Sequence, residues 1–199
     1  LGHGGERPHA LAAAVELIHI SLALHDDVTE ASGGAADGER EGALFGNAGN
    51  ILLGDLLYTS AFRMIVDLGD MEVMRVLSDA TNVIAEGEVA YRELLAAPAS
   101  RTPEAWLDVA RRRRAKLFEA GAECMAIVHG ADPAARSALA RFGLHVGSAH
   151  ALRSEAEDAA RFGIADAQAR AQAEIEAARA VADGLALVNA AALGVVVEG

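Results

Sequence analysis

Cysteine is nearly absent from this chain, and aromatic residues and proline are scarce. Of 199 residues, one is cysteine (Cys124), four are proline and 4% are aromatic. A single cysteine excludes an internal disulfide and favours a reducing compartment, so we predict a cytoplasmic protein. Alanine and leucine are abundant while β-branched clusters are few, a composition that favours an all-helical fold.

Basic residues and long apolar runs are also in short supply. The chain has 17 lysines and arginines against 29 acids, for a formal net charge of −12. Because nucleic-acid phosphates require a basic face, we predict no nucleic-acid partner. The longest apolar run, residues 10–24, is interrupted by Glu16 and His19. It is shorter than the roughly 20 residues that span a bilayer, so we predict a buried core helix and no transmembrane segment.

Apolar periodicity and capping residues divide the chain into helices. Thr102 with Pro103 and Asp132 with Pro133 are helix starts, while Gly69 and Gly130 are typical of helix ends. The polar stretch 153–163 is left unassigned. Without a repeat or a linker, the pattern predicts a single all-helical domain over residues 1–199. Its helices are expected at about 10–30, 43–68, 71–95, 103–129, 133–152 and 165–183, with a short apolar tail at 187–197.

Three carboxylates end the first predicted helix. Asp26 and Glu30 are four residues apart and therefore share one face, with Asp27 beside them. Like charges at this spacing repel unless a cation lies between them, and Mg²⁺ prefers carboxylate oxygens. The alternatives are a Mg²⁺ site and an exposed acidic helix end.

One basic run stands out in this acidic chain. Arg111–Arg114 are followed by Lys116. They are either an anion-binding group or a solvated helix face. His19 and His25 are either polar core residues or ligands, and Glu86 and Glu88 carry no strong signal.

Several segments together resemble a known family. AAAVELIHISLALHDDV, ALFGNAGNILLGDLLYTSAFRMIVDLG, ATNVIAEGEV and AKLFEAGAE are similar, in order and spacing, to the trans-polyprenyl diphosphate synthases, most of all the octaprenyl type. The resemblance implies a helical bundle around an apolar cavity, usually dimeric. It also implies two aspartate-rich motifs that hold Mg²⁺ and an allylic diphosphate, to which isopentenyl diphosphate is added.

The resemblance places site residues in both acidic motifs and in the basic run. The first motif corresponds to Asp26, Asp27 and Glu30, and the second is reduced to Glu155 and Asp158, after Ser154. The lysine–threonine pair before AKLFEA becomes Arg113 and Arg114, so the diphosphate-binding candidates are Arg113, Arg114 and Lys116.

Other family positions are altered. Ala35, Ala36 and Asp37 lie where two loop arginines are expected, and Tyr91 replaces a glutamine. We also expect the chain to be truncated relative to the family, lacking its amino-terminal helices and a lysine-bearing loop. Helix spacing places Leu17, Ile18, Ser21 and Leu22 one to two turns before the first motif. The resemblance implies that they line an apolar tunnel for the growing chain, without an aromatic floor.

The retained packing segments and the altered diphosphate positions favour one hypothesis over two others. The first is a catalytically impaired homologue acting as a non-catalytic or regulatory subunit, as a homodimer or in a complex with a catalytic prenyl synthase. The second is an active Mg²⁺-dependent prenyltransferase that condenses isopentenyl diphosphate with an allylic diphosphate. The third is a module that binds a long isoprenoid. Mg²⁺ is expected to bind only together with a diphosphate.

Overall fold

The computed structural model describes residues 5–31 and 46–185, with side chains described for 5–28 and 46–185. Within these ranges every regular element is helical, which confirms the all-helical prediction. A 3₁₀ turn (Pro98–Ser100) precedes α4, and a π-helical turn (Arg111–Ala115) joins α4 to α5. The α-helices are α1 (Glu6–Ala31), α2 (Gly46–Asp67), α3 (Met71–Ala96), α4 (Pro103–Ala110), α5 (Lys116–Val128), α6 (Pro133–Ser154), α7 (Ala156–Arg161) and α8 (Ala167–Asp183).

The chain divides into two compact units. The amino-terminal unit, residues 5–74, contains α1, α2 and the start of α3. Helices α1 and α2 pack along each other and bury Leu11, Ile18 and Ile65. The single domain predicted for residues 1–199 stays a prediction.

The carboxy-terminal unit begins at Arg75 and is described to residue 185. Helix α6 is its central element, because it packs against α5, α8 and the π-helical turn. Large apolar side chains from several helices form the core, among them Trp106, Phe142, Phe162 and Ile175.

Local capping chemistry explains where several helices begin. The hydroxyl of Thr102 accepts a hydrogen bond from Ala105 N at 3.2 Å, and the carboxylate of Asp132 accepts one from Ala135 N at 2.9 Å. Both residues are confirmed as N-caps, since they satisfy backbone donors that have no partner within the helix. Gly69 and Gly130 have φ values of +68° and +66°, in the left-handed region that glycine adopts without strain.

Two expected elements differ in the structure, and one falls outside it. The helix predicted at 103–129 is divided into α4, the π-helical turn and α5, and the unassigned stretch 153–163 contains α7. The predicted tail at 187–197 and residues 43–45 of the second predicted helix lie outside the described residues. In the part of the chain that is described, no helix combines the length and the apolar character needed to cross a bilayer.

Candidate functional site

The first group of predicted ligands lies at the end of α1. Asp26 is half-buried and Asp27 is exposed, at consecutive positions of this helix. The backbone of Glu30 belongs to the last turn of α1, but its side chain lies outside the described residues, as do Ala35, Ala36 and Asp37. The described residues therefore contribute two neighbouring carboxylates to this candidate site.

Helices α1 and α2 approach each other closely just before these acids. The hydroxyl of Ser21 is fully buried and donates a 2.8 Å hydrogen bond to the carbonyl oxygen of Gly54. A Cβ atom at Gly54 would lie 2.5 Å from Nε2 of His25, so a side chain at this position would require the imidazole to move. Nε2 of His25 in turn lies 3.3 Å from Oδ1 of Asp55, in the range of an ion pair when the ring is protonated.

This packing decides where the four predicted tunnel residues lie. Ser21 and Ile18 are completely buried, and Ser21 is engaged by α2. Ser21 therefore belongs to a helix contact, and the expectation that it faces an open tunnel does not match this placement. Leu17 and Leu22 are half-buried. They remain the pair for which a tunnel-lining role stays a prediction.

The basic run forms the π-helical turn of the carboxy-terminal unit. Such turns are rare and are frequent at functional sites. Neighbouring helices reach it through glycines, because a Cβ at Gly147 of α6 would lie 2.6 Å from Cα of Ala115. A Cβ at Gly87 of α3 would likewise lie 2.9 Å from Cβ of Arg112. The absence of these two side chains lets α3 and α6 carry their own polar residues up to the arginines.

Arg113 is the most enclosed charge of the run, with 6% of its side chain exposed. Its Nε donates a 2.7 Å hydrogen bond to Oε1 of Glu88, and its Nη1 lies 3.7 Å from Oε2 of Glu155. The guanidinium carbon lies 3.9 Å from the centre of the Tyr91 ring, within the range of a cation–π contact. A buried arginine needs such compensation, since transfer of an unpaired charge out of water is strongly unfavourable.

Glu155 connects Arg113 to the next arginine. It follows the last residue of α6, and its side chain is 16% exposed. Its Oε1 accepts a hydrogen bond from Nε of Arg114, while Oε2 faces Arg113. One carboxylate therefore bridges the two arginines.

Asp158, the other acid assigned to the second motif, contacts an indole, a phenol and an arginine. The indole Nε1 of Trp106 donates a 2.8 Å hydrogen bond to its Oδ2. Burial and the carboxylate of Asp158 raise the pKa of Tyr91 well above its ordinary value, so this phenol keeps its proton. Nη1 of Arg161 lies 3.9 Å from Oδ1 of Asp158.

These contacts bring together two sets of residues that were assigned to different ligands. The predicted metal ligand Glu155 and the predicted diphosphate ligands Arg113 and Arg114 neutralise one another, with Glu88 as the second carboxylate. We call Glu88, Arg113, Arg114 and Glu155 the arginine–glutamate cluster. A carboxylate already paired with two guanidinium groups is a poor fit to Mg²⁺. Within the described ranges, no three His, Cys, Asp or Glu side chains are arranged to hold a metal ion.

The other members of the basic run pair outside the cluster. Nζ of Lys116 lies 2.9 Å from Oε2 of Glu119 on the same helix, and Arg111 lies 3.4 Å from Glu174 of α8. The interpretation of a solvated helix face fits Arg111, whose side chain is 54% exposed, but it is wrong for Arg113.

Sequence reasoning missed Glu88 and Trp106 as parts of this site. Glu88 is 25 residues from Arg113 along the chain, and Trp106 is 52 residues from Asp158. No local sequence spacing predicts contacts between residues this far apart in the chain. A usable signal was the lone tryptophan, because a buried indole N–H requires a hydrogen-bond acceptor.

Comparison with known proteins gives consistent matches. A family model described as polyprenyl synthetase matches residues 3–160. The octaprenyl diphosphate synthase of Escherichia coli (strain K12) is 39% identical over 152 residues, covering 76% of this chain and 47% of that protein. The all-trans-nonaprenyl-diphosphate synthase (geranyl-diphosphate specific) of Rhodobacter capsulatus is 35% identical over 139 residues, covering 70% of this chain and 42% of that protein.

Solved structures agree with these matches. The crystal structure of a decaprenyl diphosphate synthase from Rhodobacter capsulatus has a TM-score of 0.79 and 25% identity to this chain. The match covers 99% of this chain and 78% of the chain in that crystal structure. By contrast, this chain spans about half the length of the curated relatives that it matches.

Proposed function

Because the chain belongs to the polyprenyl synthetase family, we propose that it is a catalytically impaired homologue that acts as a non-catalytic or regulatory subunit in isoprenoid biosynthesis. Membership confirms the family resemblance of the sequence, and the structural match confirms the isoprenoid-synthase type of helical fold. The loss of catalysis, the substrates and the partners of this chain belong to the proposal.

The arginine–glutamate cluster is the observation that carries the proposal. Catalysis of this class needs an excess of positive charge to hold a diphosphate and to stabilise its departure. Here the guanidinium groups of Arg113 and Arg114 face Glu155 and Glu88. Since each charge-assisted hydrogen bond is worth about 1.5–3 kcal/mol, a diphosphate would have to displace contacts comparable to those it forms.

Exposed apolar residues support an associating role. On α2, Leu52, Leu56 and Val66 are 70%, 60% and 59% exposed, and their spacing places them on one face of the helix. Met71 and Val89 of α3 are 76% and 59% exposed. Exposed apolar residues that share one helix face, as on α2, are typical of interaction sites. We propose that this face of α2 contacts a second copy of the chain or a catalytic synthase.

The carboxylates at the end of α1 support a second candidate, an active Mg²⁺-dependent prenyltransferase. Asp26 and Asp27 are neighbours on α1, the first half-buried and the second exposed. They are the residues that would bind a divalent cation and, through it, a diphosphate. This candidate requires cations other than Arg113 and Arg114 to hold the substrate.

A transfer assay separates the two candidates. The purified protein is incubated with Mg²⁺, an allylic diphosphate and radiolabelled isopentenyl diphosphate, and label in solvent-extractable product is counted. We expect no incorporation by the protein alone. In mixtures with prenyl synthases from the same genome, we expect a changed rate or product length. Robust incorporation by the protein alone would establish the active enzyme instead.

A further inference from the structure

Glu155 occupies the position that an external anion would take between two neighbouring arginines. Its Oε1 accepts from Nε of Arg114, and its Oε2 lies 3.7 Å from Nη1 of Arg113. Arginines bind carboxylates and phosphates in this way, with two guanidinium groups directed at two oxygens of one anion. The structure therefore contains an anion-binding geometry with an internal anion in it.

The surroundings hold Glu155 in this position. The residue lies at the junction of α6 and α7, and Asp158, three residues later, is tied to Trp106 by a 2.8 Å hydrogen bond. On the other side, the ring of Tyr91 covers the guanidinium of Arg113, and Nε of Arg113 donates a hydrogen bond to Glu88. Both partners of the contact are therefore fixed before any ligand arrives.

We infer that Arg113 and Arg114 form an anion site that the chain fills with its own Glu155, so that phosphate and diphosphate anions are kept out while this carboxylate is in place. The inference rests on the proposed function, for which it supplies a physical reason for impairment. Loss of the negative charge of Glu155 removes the anion that the guanidinium groups of Arg113 and Arg114 face.

Replacement of the carboxylate by its amide tests the inference. Binding of inorganic diphosphate to wild type and to Glu155→Gln is measured by isothermal titration calorimetry, in a metal-free buffer with chelator. Because diphosphate no longer has to displace a charge-assisted contact in the variant, we expect about a tenfold or greater gain in affinity. Sulfate at matched ionic strength is the comparison that separates specific binding from general screening.

Two further variants show where the gain arises. Glu155→Gln combined with Arg114→Gln should lose the gain, because one of the two donors is removed. Glu123→Gln is the matched control, since Glu123 also pairs with an arginine, Arg136, at 3.4 Å and is 30% exposed. It should bind diphosphate as wild type does. Equal affinity in wild type and Glu155→Gln, or an equal gain in Glu123→Gln, would overturn the inference.

Loss of folding in Glu155→Gln is also informative. If the amide variant is unfolded by circular dichroism, diphosphate should restore the helical signal at concentrations where sulfate does not, because the added anion replaces the missing carboxylate. Failure of diphosphate to do so would count against the inference.

The outcome is independent of the transfer assay. Isopentenyl transfer by wild type together with a gain in Glu155→Gln would refute the proposed function and leave the filled site standing. An inactive wild type without a gain in the variant would refute the filled site alone.

Discussion

Arg113→Met should destabilise the carboxy-terminal unit by about 2–4 kcal/mol, because the substitution removes the best-enclosed charge of the arginine–glutamate cluster. The lost contacts are the 2.7 Å hydrogen bond to Glu88, the 3.7 Å approach to Glu155 and the 3.9 Å stacking on Tyr91. Methionine keeps most of the apolar stem, so packing losses stay small.

The magnitude follows from the burial of the partners. Breaking a fully buried pair by removing one member costs about 3–5 kcal/mol, since the other charge is left without compensation. Here Arg113 is 6% exposed, but the side chains of Glu88 and Glu155 are 24% and 16% exposed and keep some contact with water. Partial hydration lowers the cost, while the lost cation–π contact adds about 0.5–2 kcal/mol.

The sequence supplies a convenient probe for the measurement. Trp106 is the one tryptophan of the chain, it is 1% exposed, and its indole donates to Asp158 in the same unit. Urea unfolding followed by its fluorescence therefore reports the free energy of unfolding of this unit. Arg75→Met is the matched control, because Arg75 is 63% exposed and pairs with Asp79 at 3.5 Å, so its loss should change stability by no more than about 0.5 kcal/mol.

One result would refute the reasoning. If Arg113→Met and Arg75→Met lower the free energy of unfolding equally, with unchanged denaturant slopes, the cluster adds nothing to the stability of the fold. A double-mutant cycle of Arg113→Met with Glu88→Gln gives the direct coupling, expected at about 1–2 kcal/mol for groups in contact.

Four more outcomes are expected. The pKa of Tyr91 is raised in the folded state, so the unfolded chain loses its phenolic proton first and the free energy of unfolding should fall as the pH rises above about 10. Urea midpoints measured from pH 8 to 11 should show this fall, and Tyr91→Phe should weaken it. Gly147→Ala should lower the melting temperature, because its Cβ would lie 2.6 Å from Cα of Ala115. The cost of overpacking, about 1–3 kcal/mol, exceeds the gain in helix propensity of about 1 kcal/mol. A higher melting temperature would contradict the close packing. Leu56→Glu should shift the mass measured by light scattering towards the monomer, and a monomeric wild type at micromolar concentration would refute the association surface. The protein without diphosphate should bind Mg²⁺ weakly in calorimetry, and tight binding unaffected by Asp26→Ala would remove Asp26 from the candidate metal site.

The helices were predictable because their signals are local. Thr102 and Asp132 were assigned as N-caps from residue type and a following proline, and both accept the expected backbone hydrogen bonds. Capping depends on atoms two or three residues away, so a sequence window contains all the participants.

The candidate site was predictable in part. The basic run and the acids at 155 and 158 were identified through the family resemblance, but their mutual pairing was not. Glu88 and Glu155 reach Arg113 across three segments that are distant in sequence, and only the packing of α3 and α6 on the π-helical turn brings them together. No short sequence pattern predicts the π-helical turn itself, because the turn depends on the helices that pack on either side of it.

The π-helical turn also has a consequence for insertions and deletions. It spans Arg111–Ala115 and joins two helices that continue the same direction of the chain. Deleting one arginine would convert it to an ordinary helical turn and leave the later residues of α5 on nearly the same faces, because the wider π turn accommodates one extra residue. A one-residue gap here between distant relatives therefore corresponds to an α-helical turn in place of the π-helical one, with the faces of α5 preserved.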